Sequence, residues 1–187
     1  MGYLALLMNL LLVAHAEPDS VNAPDYSLPI IIADSGGRSF AISLGVNPKA
    51  SEGFDLQLGE RPIPPPPDVA AFDIRFLDPH NRKTPYPGNG TYLDLRPYRS
   101  RSQVDTFYVR FQPRDQAYPI LISWPVKIRE VVDSAFVVIN TSEGTQRINM
   151  LREHRLRVTE SSVHTCMVIL YGVQPVIQKK KYRGEVD

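Results

Sequence analysis

The chain has 187 residues, 43% hydrophobic and 22% charged, which is enough for one good-sized core and too apolar for wholesale disorder. A formal charge of +1 leaves no global field to draw in a polyanion, so nucleic-acid binding would need a strong local basic face. Seventeen prolines, nearly twice the usual ~5% share, are poorly tolerated in helix interiors and favour an all-β chain.

Residues 4–13 form an apolar run too short to span a bilayer comfortably. It ends in Ala14-His15-Ala16, a small-residue cleavage pattern. Residues 1–16 therefore read as a signal peptide, which implies a secreted, cell-surface or periplasmic protein. No later segment is long and apolar enough to be transmembrane. Residues 17–27 read as a polar lead-in.

Residues 28–33 form the first expected strand, with Pro29 near its start, where a missing donor is tolerated. The turn Asp34-Ser35-Gly36-Gly37 leads into residues 38–45, where Phe40, Ile42 and Leu44 alternate with Ser39, Ala41 and Ser43. Together they predict a hairpin with one buried face. Residues 61–67, Arg-Pro-Ile-Pro-Pro-Pro-Pro, then form a stiff rod, because each proline fixes φ and removes an N–H. Alternation resumes at Phe72-Asp73-Ile74-Arg75-Phe76, so the rod is expected to cross between two groups of strands inside one sandwich. Residues 78–90 are a breaker-rich loop, and residues 91–97 suit a short edge strand.

The second half is more regular. Residues 105–111 and 119–125 each bury one face, the latter through Ile120, Ile122 and Trp124. Residues 135–139 are a continuous apolar run, as expected of a central strand. A turn at residues 141–144 precedes a return over residues 145–150, with Gln146 on the Ile148 and Met150 side but near the strand mouth, within reach of water. Residues 155–159 and 166–171 complete nine or ten strands at the turn spacing of a sandwich or barrel. The domain is placed at residues 28–172, followed by a basic tail at 173–187 that carries Lys179, Lys180, Lys181 and Arg183.

The lone Cys166 cannot form an intramolecular disulfide, which favours a bacterial secreted protein, and its apolar surroundings suggest a buried, inert thiol. His80, His154 and His164 lack zinc-ligand spacing and suit solvated positions, the latter two at strand ends. There is no G-x-S-x-G elbow, P-loop or G-x-G-x-x-G, so catalytic residues and cofactors are not assigned. Glu52, Asp55, Glu60 and Asp68 flank the rod. Calcium could use such oxygens, although the spacing matches no EF-hand and solvated turn residues are the plainer alternative. Arg61, Pro64 and Pro67 fit R-x-x-P-x-x-P, a docking pattern, while a structural rod fits the flanking strands better. Tyr92, Tyr98 and Tyr108 with Arg96, Arg99 and Arg101 mix aromatic and basic groups, as a sugar- or nucleic-acid-binding surface does; an ordinary solvated face is the alternative. Asn89 and Asn140 head sequons that matter only in a glycosylating host.

Residues 40–46, 50–55, the proline run and residues 72–76 together resemble a β-sandwich-like module of secreted and surface proteins in Bacteroidetes- and Chlorobi-type bacteria, often in chains handled by type IX secretion. Ile122-Ser123-Trp124-Pro125 looks like the tryptophan strand of that pattern. The likeness spans residues 28–171 and is distinctive only over residues 40–76. It implies no catalytic residues.

The expectation is an all-β antiparallel β-sandwich of immunoglobulin- or fibronectin-like type, one domain with a proline-rich crossing. The expected role is a secreted, non-catalytic interaction or structural module that meets a protein or surface polymer and not nucleic acid. The alternatives are a carbohydrate- or surface-binding accessory module using Trp124, Tyr92, Tyr98 or Arg99, and a hydrolase with a dispersed site. Calcium at Glu52, Asp55 and Glu60 is the one metal site considered.

Overall fold

Alternation drives the first hairpin. Leu28, Ile30 and Ile32 on β1 (Tyr26–Ala33) are buried, as are Ile42, Leu44 and Val46 on β2 (Ser39–Asn47). The two strands pair antiparallel from Tyr26↔Val46 to Ala33↔Ser39. The turn is closed by Asp34, whose carboxylate accepts the Arg38 backbone N–H and Nε–H, each at 3.0 Å. Gly37 takes φ 83°, which a residue with a Cβ rarely adopts. The computed structural model describes residues 25–68, 70–77 and 90–173. The expected signal peptide, most of the lead-in, His80, Asn89 and the tail beyond Val173 lie outside the described residues. The lead-in is shorter than expected, since β1 already begins at Tyr26.

The remaining strands are β3 (Asp73–Leu77), β4 (Gly90–Thr91), β5 (Leu93–Pro97), β6 (Val104–Gln112), β7 (Ile120–Ser123), β8 (Val132–Thr141), β9 (Gly144–Asn149), β10 (Arg155–Val158) and β11 (Thr165–Val173). They form two sheets. Sheet A has the order β10-β7-β1-β2-β5, and sheet B the order β4-β3-β6-β11-β8-β9. The all-β sandwich expected from the alternation is therefore present. Both inner faces contribute to one core, with Ile30, Ile42 and Ile122 from sheet A meeting Phe76, Phe107, Val137 and Val168 from sheet B. Each such side chain contributes about 1.5–3 kcal/mol when fully buried.

One pair departs from the antiparallel expectation: β2 and β5 run parallel, from Ser43↔Leu93 to Asn47↔Pro97. Parallel neighbours need a long crossover. The chain between them supplies it by passing to sheet B, forming β3 and β4, and returning. The expected single edge strand at residues 91–97 is thus split, with β4 on sheet B and β5 on sheet A, and Tyr92 at the corner. Gly90 is required there, because a Cβ would stand 2.0 Å from the Phe76 carbonyl oxygen.

The proline segment carries the crossing from β2 to β3, as the break in alternation suggests. Ile63 forms a single bridge with Gly90, donating its N–H at 2.9 Å. The Pro64 carbonyl accepts from Arg75 Nη1 at 2.6 Å. Arg75 is 2% exposed and also donates Nε–H to Asp73 at 2.6 Å and Nη2–H to the other oxygen of that carboxylate. Asp73 and Arg75 occupy the side of β3 opposite Ile74 and Phe76. The crossing therefore covers β3 from outside and buries an ion pair beneath it.

Candidate functional site

The acidic residues beside the rod are placed by the local chain. A short 3-10 turn at Leu56–Leu58 ends on Gly59 in the left-handed region. Asp55 accepts the Ser51 N–H at 2.6 Å and the Gln57 side-chain amide at 3.2 Å. Glu60 is buried and accepts the N–H of Asp55 through Oε2 and that of Leu95 through Oε1, both at 2.6 Å. Burial pushes the Glu60 carboxyl up, with help from the Asp55 charge, against the two backbone bonds and the Arg96 charge that lower it; the net direction is upward. Glu52 lines one pocket with Glu60 and Arg96, but its carboxylate accepts from Arg99 Nη1 at 2.8 Å.

This geometry lends the calcium expectation no support. The oxygens of Asp55 and Glu60 already serve backbone N–H groups, and among the described residues no three acidic, histidine or cysteine groups gather as a metal site. The capping also blocks an edge. Ser43 donates to the Tyr92 carbonyl at 2.8 Å, so even-numbered residues of β5 face β2 and the odd-numbered ones face outward. Leu93 N–H then meets Thr91 Oγ1 at 3.2 Å, Leu95 N–H meets Glu60, and Pro97 has none. An open edge that could template aggregation is thereby closed.

Next to this edge, Glu52, Arg96, Arg99, Val104, Asp105, Thr106 and Tyr108 line an open cleft of about 650 Å³. Arg99 bridges Glu52 and Asp105, the latter through Nη2 at 2.9 Å, and Gln103 donates to Asp105 at 2.5 Å. Arg96 pairs with Asp94 at 2.9 Å and stands 5.3 Å from the Phe107 ring centre. The Tyr26 hydroxyl is buried without a hydrogen-bond partner among the described residues, and burial followed by the Asp105 charge raises its pKa.

The cleft opens onto the outer face of sheet B, where cross-strand register sets up the rows. Leu77, Tyr108, Met167, Val138 and Arg147 lie side by side. Thr106, Ile169, Phe136 and Asn149 form the next row, and Val104, Tyr171 and Ser134 the third. Arg147 lies 3.7 Å over the Phe136 ring and donates to the Tyr171 hydroxyl at 3.2 Å. Val104 is 52% and Tyr108 39% exposed. An antiparallel sheet with one solvated face ordinarily turns polar residues outward, and this one turns out an apolar floor.

The other expected positions fall away from this surface. Trp124 is buried, and its Nε1–H is shared between the carbonyls of Met150 at 3.0 Å and Glu153 at 2.8 Å. This corrects its reading as a binding platform: it is a core anchor. Tyr92 is exposed but packs on Phe40, ring centres 4.8 Å apart, at the corner into sheet A. Tyr98 is half-buried after β5 and does not line the cleft. Of the expected set, Glu52 and Arg99 are brought together, with Arg96 and Tyr108 beside them. Arg61 Nη1 is folded back onto the carbonyls of Leu56 and Glu60, at 2.6 and 3.0 Å, which suits a structural rod. Asp68 accepts the Ala70 N–H at 3.1 Å within its own turn.

His154 and His164 stand just before β10 and β11, as expected. His164 Nδ1 lies 3.1 Å from the Tyr118 hydroxyl. It lines a hollow with Arg110, Gln112 and Gln116, and no serine or carboxylate is part of that lining. Burial pushes the Cys166 thiol up to about 12, which keeps it unreactive.

The outer floor was not singled out in the sequence, although the signal is there. Residues 136–139 and 166–171 are apolar at both parities, the pattern of strands covered on both faces. Among the described residues no helix is long and apolar enough to cross a membrane. Comparison with protein-family models, curated proteins and solved structures finds no match to this chain.

Proposed function

We propose that the chain is a secreted, non-catalytic β-sandwich interaction module that works at a bacterial cell surface. Its contact surface is the outer face of sheet B. One observation carries this reading: β8 and β11 are apolar on both sides, and although Val138 is buried, Phe136, Met167, Ile169 and Tyr171 on the outer side stay partly exposed among the described residues. The fold gives its buried charges hydrogen-bond partners, closes the β5 edge and anchors its tryptophan, so exposed Tyr108 with half-buried Met167 and Ile169 beside it stands out as unfinished burial. The signal-like start and the resemblance of residues 40–76 to exported modules support the compartment.

Photo-crosslinking tests the reading. A benzoylphenylalanine in place of Tyr108 should capture one defined partner on cells of the source organism. The same probe at Ser39, on the outer face of sheet A, should not. Equal labelling from both positions, or none from Tyr108, overturns the proposal. Recovery of the chain only from cytosol, with residue 1 intact, overturns the secreted part.

The cleft beside Tyr108 favours a second reading, a carbohydrate-binding accessory module. An exposed tyrosine next to the Glu52–Arg99–Asp105 chain offers one ring face and several hydrogen-bond groups. A glycan array that lights up for the wild type and goes dark for Tyr108→Ala would establish it, and a blank array removes it.

A further inference from the structure

The outer face of sheet B is cationic as well as apolar. At the outward positions of β6, β11, β8 and β9 there is no Asp or Glu, whereas Arg110 and Arg147 stand at opposite sides of the floor. Neither makes an ion pair with a described residue. Arg110 lies directly across from Arg75 in the β3–β6 register, and the one described carboxylate on β3, Asp73, is spent on Arg75 with both oxygens. Like charges set opposite each other on neighbouring strands are unfavourable unless an anion answers them. Among the described residues the Arg110 guanidinium donates to the Gln112 side-chain oxygen, at a long 3.5 Å. Beside it is an open hollow lined by Gln112, Gln116 and His164; Gln116 and His164 carry groups that can donate to an oxygen anion, while the Gln112 amide is given to the carbonyls of Asp68 and Ala71. Of the carboxylates near the rim, Glu52 pairs with Arg99 at 2.8 Å, Asp133 with Arg101 at 3.8 Å and Asp115 with Arg114 at 3.1 Å, while Asp68, whose carbonyl Gln112 reaches, accepts the Ala70 N–H.

Size narrows the occupant. Four strands spaced ~4.8 Å apart and three rows two residues apart give a footprint of roughly 300 Å². A standard protein interface takes about 800 Å² per partner. A segment fits, and a whole domain face does not. The partly exposed aliphatic floor of Met167 and Ile169 suits side chains better than sugar rings. Resting on the interaction-module reading above, we propose that this face docks an acidic, amphipathic segment of a partner protein, its apolar side chains on the floor and its carboxylates on Arg110 and Arg147.

The test uses a fluorescent copolymer of glutamate and tyrosine, with polygalacturonate as the acidic polysaccharide, and anisotropy at low and raised salt. The copolymer should bind the wild type and weaken as salt rises. The double variant Arg110→Gln, Arg147→Gln should bind it roughly tenfold more weakly. Arg110→Lys with Arg147→Lys should recover part of the loss, and matching melting curves show that each variant is folded. No copolymer binding by the wild type, unchanged binding by the Gln variant, or tighter binding of polygalacturonate overturns the proposal. Crosslinking at Tyr108 separates the two ideas. A partner captured equally by wild type and Gln variant leaves the module reading standing and removes the acidic segment; no partner at all removes both.

Discussion

The most demanding prediction concerns Arg75, because its surroundings make opposite statements about single and double substitutions. Its side chain is 2% exposed and that of Asp73 6%. Arg75→Met leaves a buried carboxylate with its charge unanswered, which costs about 3–5 kcal/mol. It also strips a donor from the Pro64 carbonyl, adding about 1 kcal/mol more. Asp73→Val strands the guanidinium and should cost a similar 3–5 kcal/mol. The double variant removes both charges and fills the space with apolar atoms, so among the described contacts the tether to Pro64 is what is lost, and the net cost should be about 1–2 kcal/mol. The coupling is then several kcal/mol, far beyond the few tenths seen for independent sites. Urea unfolding of the four proteins, with a check that the slope is constant, measures it. Additive singles, or an Arg75→Met loss below about 1 kcal/mol, would mean that the pair is not buried under the crossing and that the placement of the rod over β3 is wrong.

Four further outcomes follow from the rod and from the buried carboxylates Glu60 and Asp34. Replacing Pro64, Pro65, Pro66 and Pro67 by glycine frees the unfolded chain and should cost about 2–4 kcal/mol in total by urea unfolding, whereas an unchanged midpoint would make the rod a mere linker. Glu60→Ala leaves the Asp55 and Leu95 N–H groups unanswered, so it should cost about 2–4 kcal/mol and, by light scattering, raise self-association through the reopened β5 edge. Because the Glu60 carboxyl is raised in the fold, the folded state binds the extra proton; its contribution falls as pH rises from the ordinary carboxylate range through the raised value, and a wild-type minus Glu60→Gln difference of the opposite slope refutes the burial. Asp34 behaves in reverse. Burial pushes it up, but the Arg38 hydrogen bonds and charge and the Gly36 N–H outweigh that and hold it low, so its stabilisation is present above the unfolded carboxylate pKa and disappears as pH falls through the lowered folded value; Asp34→Asn should flatten that acid limb.

Much of the architecture is legible because alternation reports burial directly. Ile42 to Val46, Phe107 to Phe111 and Ile120 to Trp124 each mark a strand and its inner side, whereas Phe40, expected on the buried face, is 41% exposed at the strand's start; Gln146 is exposed at its strand mouth as its polarity demands. Alternation does not report partners. Nothing in Thr91-Tyr92-Leu93 says that the chain changes sheets at Tyr92, since either sheet satisfies the same parity, and the parallel β2–β5 pair follows from that corner. The turn Val126–Glu130, which buries Ile128, has too few residues for a helical period to register. Site residues are harder still. Glu52, Asp55 and Glu60 look alike in sequence, and only the path of the loop decides that one meets Arg99 and two cap backbone. Trp124 carries the composition of a ligand platform and the position of a core residue.

The two halves of the outer face of sheet B argue against a purely solvent-facing role. Over β3, where the chain's own crossing lies on the sheet, the outward residues are Asp73 and Arg75, a polar pair that fixes the crossing through the Pro64 carbonyl. Over β6, β11 and β8, where no described residue lies, the outward residues are Tyr108, Met167, Ile169, Phe136 and Tyr171. Burial alone would predict the reverse, charges where water reaches and apolar groups where chain covers. Sheet A follows that rule more closely, with Ser39, Ser43, Ser123 and Arg155 turned outward around Ile31 and Leu121. The inversion on sheet B makes sense if the apolar half is also covered, by something whose carboxylates answer Arg110 and Arg147. The crossing then serves as a fixed wall, and the Arg99 bridge from Glu52 to Asp105 holds one rim of a face whose other side the partner supplies.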